Sequence, residues 1–153
     1  MYLTVHAAAG AAIGQFIANP WLAFILGFIS HFILDMIPHG DEGIKHWKLF
    51  KTNLQRTVAA SIIDFLILSA LACYWLINSP MNEIPGMIYG MAGAILPDTL
   101  WGLYEITGTP LLGWYSKSHS ALHQIFKKPL ALRYGFLIQI PLLALLTWLI
   151  IKV

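Results

Sequence analysis

Charged residues are scarce in this chain of 153 residues, and their scarcity argues against most soluble classes of protein. Asp, Glu, Lys and Arg together make up 10% of the sequence, whereas a soluble domain has about 25%. Hydrophobic residues make up 58%, and the mean hydropathy is +0.70. The composition therefore predicts an integral membrane protein, and the length fits a single domain over residues 1–153.

Other features are missing as well. The net charge of +2 is too small to indicate a nucleic-acid partner, and the sequence contains no RNA- or DNA-binding motif. A single cysteine, Cys73, excludes a disulfide within the chain and gives no information about the compartment. The first 18 residues lack a basic start, and His6 and Gln15 interrupt their apolar run. We therefore expect a helix of the domain there, not a signal peptide.

Five apolar segments have lengths near that of a membrane helix, which needs about 17–25 mostly apolar residues. The first is rich in Ala and Gly and is marginal in length, so the sequence leaves open whether it spans. A sixth, amphipathic segment is expected to lie at the membrane interface. The predicted fold is all-α, a polytopic membrane bundle of about five transmembrane helices and one short interfacial helix. The predicted spans are 2–18, 20–37, 57–77, 85–104 and 130–151, and the interfacial segment is 116–128.

The basic residues predict the orientation of this bundle. They concentrate in two polar stretches, 39–56 and 105–133, whereas the short connections between the other segments carry none. Five helices bring both stretches to one side, and the positive-inside rule makes that side cytoplasmic. We therefore expect a protein of the plasma (inner) membrane.

Glycines recur along two of the predicted helices. Gly10 and Gly14 are four residues apart in the first, and Gly86, Gly90 and Gly93 follow one another in the fourth. Such spacings favour close helix contacts in lipid. Glycine is common in membrane helices in any case, so the spacing alone does not establish the contacts.

Most acids and histidines are predicted at one depth, near the cytoplasmic face, and the outer side offers only Glu83 among them. A carboxylate within a bilayer is costly unless it is paired or hydrated. Several acids and histidines at the same depth therefore indicate one shared polar site. Its predicted members are His6, His31, Asp35, Asp64, Asp98, Glu105, His119 and His123.

The spacing of these residues favours a metal site. His31 and Asp35 are four apart and share a helix face, and His119 and His123 have the HxxxH spacing by which two imidazoles bind zinc. Nitrogen and oxygen donors together suit a divalent metal, first Zn²⁺ and then Mn²⁺ or Fe²⁺. The predicted general bases are Asp64 and Glu105. The predicted metal ligands are His6, His31, Asp35, Asp98, His119 and His123.

Each of these residues also has a simpler interpretation. His31 and Asp35 could contact only each other and stabilise the end of their helix. Asp98, which follows a proline, could be only a hydrogen-bond acceptor, and His6 could bind a carbonyl group. Asp64 could pair with Arg56 or with a neighbouring histidine. The sequence leaves these alternatives open.

Four short motifs together resemble the membrane-bound metal-dependent hydrolases of the YdjM type. These motifs are each short but are spread over most of the chain, and they contain the predicted ligands. The resemblance implies a membrane-embedded metal site and a hydrolytic activity. The matching segments are "VHAAAG" with His6, "GFISHFILDMIPH" with His31 and Asp35, "ILPDTLW" with Asp98, and "KSHSALH" with His119 and His123.

Three functions are compatible with these features. The first is a metal-dependent hydrolase that acts at the cytoplasmic face on a lipid or another amphiphile, such as a phosphoester with an anionic head that nearby lysines attract. The second is an ion- or proton-coupled carrier, although its polar residues would have to continue to the outer side. The third is a non-catalytic assembly protein locked by a metal or polar network. All three have membrane lipids as partners.

Overall fold

The computed structural model describes residues 1–40, 51–122 and 132–152. Within these ranges the chain forms six α-helices and no strand, so the predicted all-α class is confirmed. A short 3-10 turn, Pro110–Leu112, precedes the fifth helix. The helices are α1 (Leu3–Gly14), α2 (Pro20–Asp35), α3 (Asn53–Ile77), α4 (Ile84–Thr107), α5 (Gly113–Leu122) and α6 (Leu132–Lys152).

Two of the five predicted spans have both the length and the composition to cross a membrane. They are Gln55–Ile77 in α3 and Leu132–Lys152 in α6. α1 and α2 are apolar but have only 12 and 16 residues. At 1.5 Å per residue, α1 is about 18 Å long, which is short of the roughly 30 Å hydrocarbon core of a bilayer. The predicted first span, 2–18, is therefore too long by several residues.

Local sequence signals explain where α2 begins and where α4 ends. The side chain of Asn19 accepts hydrogen bonds from the N–H groups of Trp21 and Leu22, and Pro20 takes the first helical position, where its missing N–H costs nothing. α4 continues through Pro97 and ends at Gly108, whose φ of +62° is left-handed. A glycine adopts that conformation without a steric penalty.

The helices around the site pack through glycine. A Cβ on Gly10 of α1 would overlap the carbonyl oxygen of Gly90 in α4, and a Cβ on Gly93 would overlap the carbonyl oxygen of Phe24 in α2. Small residues let helix backbones approach closely. The predicted close contacts of the glycines in α1 and α4 are therefore confirmed.

α1 lies at the centre of the described structure. It packs against α2, α3, α4 and α6, and its alanines form a core with Leu68, Trp75, Met87 and Met91. Its first turn lies beside the end of α2, since the Met1 nitrogen is 2.8 Å from Asp35 Oδ1. It also contacts α6, because Tyr2 N–H donates to Gln139 Oε1 at 2.9 Å. The start of α1, the end of α2 and the polar part of α6 thus meet at one side of the bundle.

Candidate metal centre

Four side chains from three helices converge at this side of the bundle. They are His31 and Asp35 of α2, Asp98 of α4 and His119 of α5, and one donor atom from each lies within 4.8 Å of all the others. His31, Asp35 and His119 are at most 3% exposed, whereas the side chain of Asp98 is 21% exposed. The site is therefore buried on three sides and accessible beside Asp98.

Five of the six distances among these donor atoms lie near those of a tetrahedral metal site. An ion with bonds of about 2.0–2.1 Å holds its ligand atoms about 3.4 Å apart. His31 Nε2 is 3.2 Å from His119 Nε2, 2.9 Å from Asp35 Oδ2 and 3.7 Å from Asp98 Oδ1. His119 Nε2 is 3.4 Å from Asp98 Oδ1 and 3.8 Å from Asp35 Oδ2. Two imidazole nitrogens and two carboxylate oxygens therefore surround a space of the right size for Zn²⁺, Mn²⁺ or Fe²⁺.

A backbone carbonyl orients His31. Its Nδ1 lies 2.8 Å from the carbonyl oxygen of Ala94 in α4. A carbonyl oxygen can only accept a hydrogen bond, so Nδ1 carries the proton and Nε2 faces the other donors. Metal-binding histidines are commonly oriented by such a contact. Pro97 lies one turn further along α4 and has no N–H, so the helical hydrogen bonds are interrupted beside the site.

Tyr115 and Trp101 hold His119 from the other side. The Tyr115 hydroxyl donates to the carbonyl oxygen of Pro97 at 3.0 Å, which joins α5 to α4. The rings of Tyr115 and Trp101 stack against the His119 imidazole, with centroids 5.9 and 6.3 Å away. Burial and the carboxylates of Asp98 and Asp35 raise the pKa of Tyr115 to about 12. The hydroxyl therefore keeps its proton and remains a donor at neutral pH.

His6 lies beside the group of four but is not a member of it. It is completely buried, and its ring stacks on His31 with centroids 4.0 Å apart. Its Nε2 is 3.1 Å from Asp35 Oδ1, whereas His31 and His119 are paired with Oδ2. Neither ring nitrogen makes a hydrogen bond of ordinary geometry within the described chain, so the alternative of a bond to a carbonyl is not observed.

The predicted general bases, Asp64 and Glu105, are not members of the group of four. The carboxylate of Asp64 accepts hydrogen bonds from Leu3 N–H at 2.6 Å and from Thr4 N–H at 3.3 Å. It thereby supplies acceptors for the first turn of α1, where N–H groups have no helical partner. Glu105 is exposed and lies seven residues beyond Asp98, about 10 Å along α4.

One predicted ligand, His123, lies outside the described residues, and so do four of the lysines near the predicted site. Sequence reasoning missed Tyr115 and Trp101, whose rings contact His119. The four-residue spacing of Tyr115 and His119 is the signal that could have revealed their shared face.

An apolar cavity of about 430 Å³ adjoins the group of four. α2 contributes Phe28 and Phe32 to its lining, α4 contributes Leu100, and α5 contributes Trp114 and His119. Small-molecule sites commonly combine apolar walls with a few polar groups. His119 is thus shared between the possible metal centre and the cavity.

The chain was also compared with known proteins. No family model, no curated protein and no solved structure matches it. The function proposed below therefore rests on the geometry of the site and on the resemblance of its motifs.

Proposed function

We propose that this protein is a membrane-embedded, metal-dependent hydrolase whose divalent ion is held by His31, Asp35, Asp98 and His119. The supporting observation is the convergence of their four donor atoms at distances suited to a tetrahedral ion. Zinc is the first choice for this donor set. The resemblance to YdjM-type hydrolases supports the same residues.

The four ligands would differ in their roles. A divalent ion bound here would lower the pKa of a water molecule toward about 7 and polarise a phosphoryl or acyl oxygen. His31, Asp35 and His119 are buried and would fix the ion, whereas Asp98 is partly exposed and borders the side from which a substrate can arrive. The predicted proton acceptors are Asp64 and Glu105, and their amide variants distinguish that role from a structural one.

The exposed surfaces of α3 and α6 support a membrane location. Only 22% of the apolar window of α3 and 17% of that of α6 are buried. The core helix of a soluble protein would be mostly buried, so these faces require another apolar environment. We propose that α1, α2, α3, α4 and α6 form a bundle in the plasma membrane with the site at the cytoplasmic face, as the positive-inside rule favours.

The cavity supports an amphiphilic substrate. Its apolar lining would accept a hydrocarbon chain, and His119 at its wall would bring the polar end of that molecule to the ion. Lys117 on α5 is exposed and could attract an anionic head group. We therefore propose a lipid phosphoester as the first substrate class.

Metal analysis followed by a substrate screen tests this function. The full chain, purified in detergent, is expected to retain a transition metal, and His31→Ala and Asp98→Ala should lose the ion held by the group of four. Glu83→Gln changes an acid outside the group of four and serves as the control. Phospholipids and polyprenyl phosphates are then screened for hydrolysis that a chelator abolishes. Purified protein without stoichiometric metal, and without metal uptake on reconstitution, would contradict the proposal.

A second candidate function is a non-catalytic membrane protein that uses the same polar network as a structural lock. It is favoured by one observation: Asp35 contacts the Met1 nitrogen, His6 and His31, and so connects α1 to α2. This candidate predicts that removal of the metal unfolds the bundle, and that the metal-loaded protein hydrolyses none of the screened lipids.

A further inference from the structure

We propose that the protein binds a second divalent cation on the other side of Asp35, held by Asp35 Oδ1, His6 Nε2 and His39 Nε2. This inference rests on the proposed function in one respect, because it takes Asp35 Oδ2 as a ligand of the first ion. The site would then be a two-metal centre with Asp35 as the bridging carboxylate.

The two oxygens of Asp35 face different sets of donors. Oδ2 lies 2.9 Å from His31 Nε2 and 3.8 Å from His119 Nε2. Oδ1 lies 3.1 Å from His6 Nε2 and 2.8 Å from the nitrogen of Met1. The side chain is 1% exposed, so all of these contacts are made out of reach of bulk water. A carboxylate that divides its oxygens in this way can bridge the two ions of a hydrolytic metal pair.

His6 places a buried imidazole beside the second position, and this imidazole makes no hydrogen bond of ordinary geometry with the described residues. Its side chain is 0% exposed, its Nε2 lies 3.1 Å from Asp35 Oδ1 without ordinary hydrogen-bond geometry, and its Nδ1 has no hydrogen-bond partner within the described chain. Buried polar groups normally have partners, and an orphaned one calls for a physical explanation. A cation beside Asp35 Oδ1 would lie within reach of His6 Nε2 and would supply that partner.

His39 is oriented in the same way as His31. Its Nδ1 lies 2.7 Å from the carbonyl oxygen of Ile37, which can only accept, so Nδ1 carries the proton and Nε2 faces the second position. The backbone at His39 is held in place by α6, because Gln139 Nε2 donates to the His39 carbonyl oxygen at 2.9 Å. The residue therefore has a fixed place although it lies beyond the end of α2.

A positively charged group already lies between these donors. The Met1 nitrogen is 2.8 Å from Asp35 Oδ1 and 3.0 Å from His39 Nε2. Metal–ligand bonds are about 2.0–2.2 Å long, so these two distances are longer by about 0.6–1.0 Å. Small side-chain movements would therefore let a divalent ion take the place of this nitrogen.

Metal stoichiometry in the full chain tests the proposal. The detergent-purified protein is reconstituted with Mn²⁺, the bound ions are counted, and the electron paramagnetic resonance spectrum is recorded. We expect about two ions per chain and an exchange-coupled spectrum, as for other bridged pairs. His39→Ala should bind about one ion with an uncoupled spectrum, and His6→Gln should do the same without leaving a cavity. Size-exclusion profiles and thermal unfolding serve as folding controls for each variant.

The alternative outcomes distinguish this proposal from the proposed function. One ion per chain in the wild type, with no coupling and no change in His39→Ala, would overturn the second site and assign its position to the Met1 ammonium group. The proposed function would then stand. No bound ion in the wild type would overturn both. Loss of the single ion on His31→Ala, but not on His39→Ala, would also exclude the second site.

Discussion

At the scale of single residues, backbone carbonyls determine which atoms of the histidines can bind a cation. Ala94 and Ile37 accept hydrogen bonds from the Nδ1 atoms of His31 and His39. In both rings Nε2 then faces the carboxylate of Asp35 or the Met1 nitrogen beside it. A metal site needs this arrangement, because a ring nitrogen must present a lone pair to the ion.

Tyr115→Phe tests whether the orientation of His119 contributes to metal binding. The substitution keeps the ring that stacks on His119 but removes the hydroxyl that donates to the Pro97 carbonyl. Loss of such supporting contacts typically weakens metal binding by about 10–100-fold. We expect a decrease at the lower end of that range, measured by competition with a chromogenic chelator. Tyr134→Phe removes an exposed hydroxyl as the control, and equal affinities for both variants would contradict the account.

Asp64→Asn and Glu105→Gln separate a structural role from a catalytic one. Asp64 accepts the N–H groups at the start of α1, and the loss of charged hydrogen bonds there should cost about 1–3 kcal/mol. We expect a lower unfolding temperature for Asp64→Asn and an unchanged one for Glu105→Gln, whose side chain is exposed. If Asp64→Asn lost hydrolysis without losing stability, Asp64 would be a general base after all.

Part of the site could be predicted from the sequence because helical spacing is regular. His31 and Asp35 share a helix face at a spacing of four. The topology also predicted the same membrane depth for them as for Asp98 and His119. The role predicted for Glu105 stays a prediction, since seven residues return it to the face of Asp98 and displace it by about 10 Å along α4. His39 follows Pro38, beyond the end of α2, so no periodicity could predict where its side chain lies.

At the scale of helices, the glycine contacts of α4 fix the distance between the elements that carry the ligands. Gly90→Ala should destabilise the protein by about 1–3 kcal/mol, because overpacking forces the backbones apart. The added Cβ would meet the carbonyl oxygen of Gly10. We expect a lower unfolding temperature in detergent together with weaker metal binding.

Gly102→Ala is the matched control in the same helix. Nothing lies within 4 Å of a Cβ added there, and alanine favours a helix over glycine by about 0.8–1.0 kcal/mol. The Gly102 variant should therefore be as stable as the wild type or more so. If both variants behaved alike, close packing through Gly90 would not be important for the bundle.

The sequence predicted the helices better than their lengths. Asparagine and proline marked the start of α2, and apolar runs located α3 and α6 within a few residues. The predicted fourth span, 85–104, ends three residues before α4 does. α1 was predicted as 2–18 but ends at Gly14. The apolar residues after Gly14 extended the prediction, because hydropathy does not distinguish a helix enclosed by other helices from one that spans the membrane. The start of α5 was missed by three residues, since the turn of Pro110–Leu112 gives no amphipathic signal.

At the scale of the whole molecule, apolar surface and polar residues are separated. Large hydrophobic side chains are exposed along α3 and α6, as at Phe65, Leu66, Leu137 and Ile140. The histidines and acids of the site lie at one end of the bundle, beside the first turn of α1. This separation is expected of a protein that places a polar site at the membrane interface.

Cysteine labelling tests the proposed topology. Cys73 is the only cysteine of the chain, so Cys73→Ser provides a background for Asn82→Cys, just before α4, and Lys117→Cys, on α5 beyond the other end of α4. Both parent residues are exposed. A membrane-impermeant maleimide should label the Asn82 variant in intact cells and the Lys117 variant only after permeabilisation. The reverse pattern would place the site at the outer face.

The central claim is that His31, Asp35, Asp98 and His119 bind a divalent metal. X-ray absorption at the metal edge of the purified, reconstituted protein tests it most directly. The account predicts nitrogen and oxygen ligands at about 2.0–2.2 Å, with no sulfur, and loss of the ion that these four residues hold in His31→Ala and Asp98→Ala. A protein that binds no transition metal, or one whose metal signal is unchanged in these variants, would contradict it.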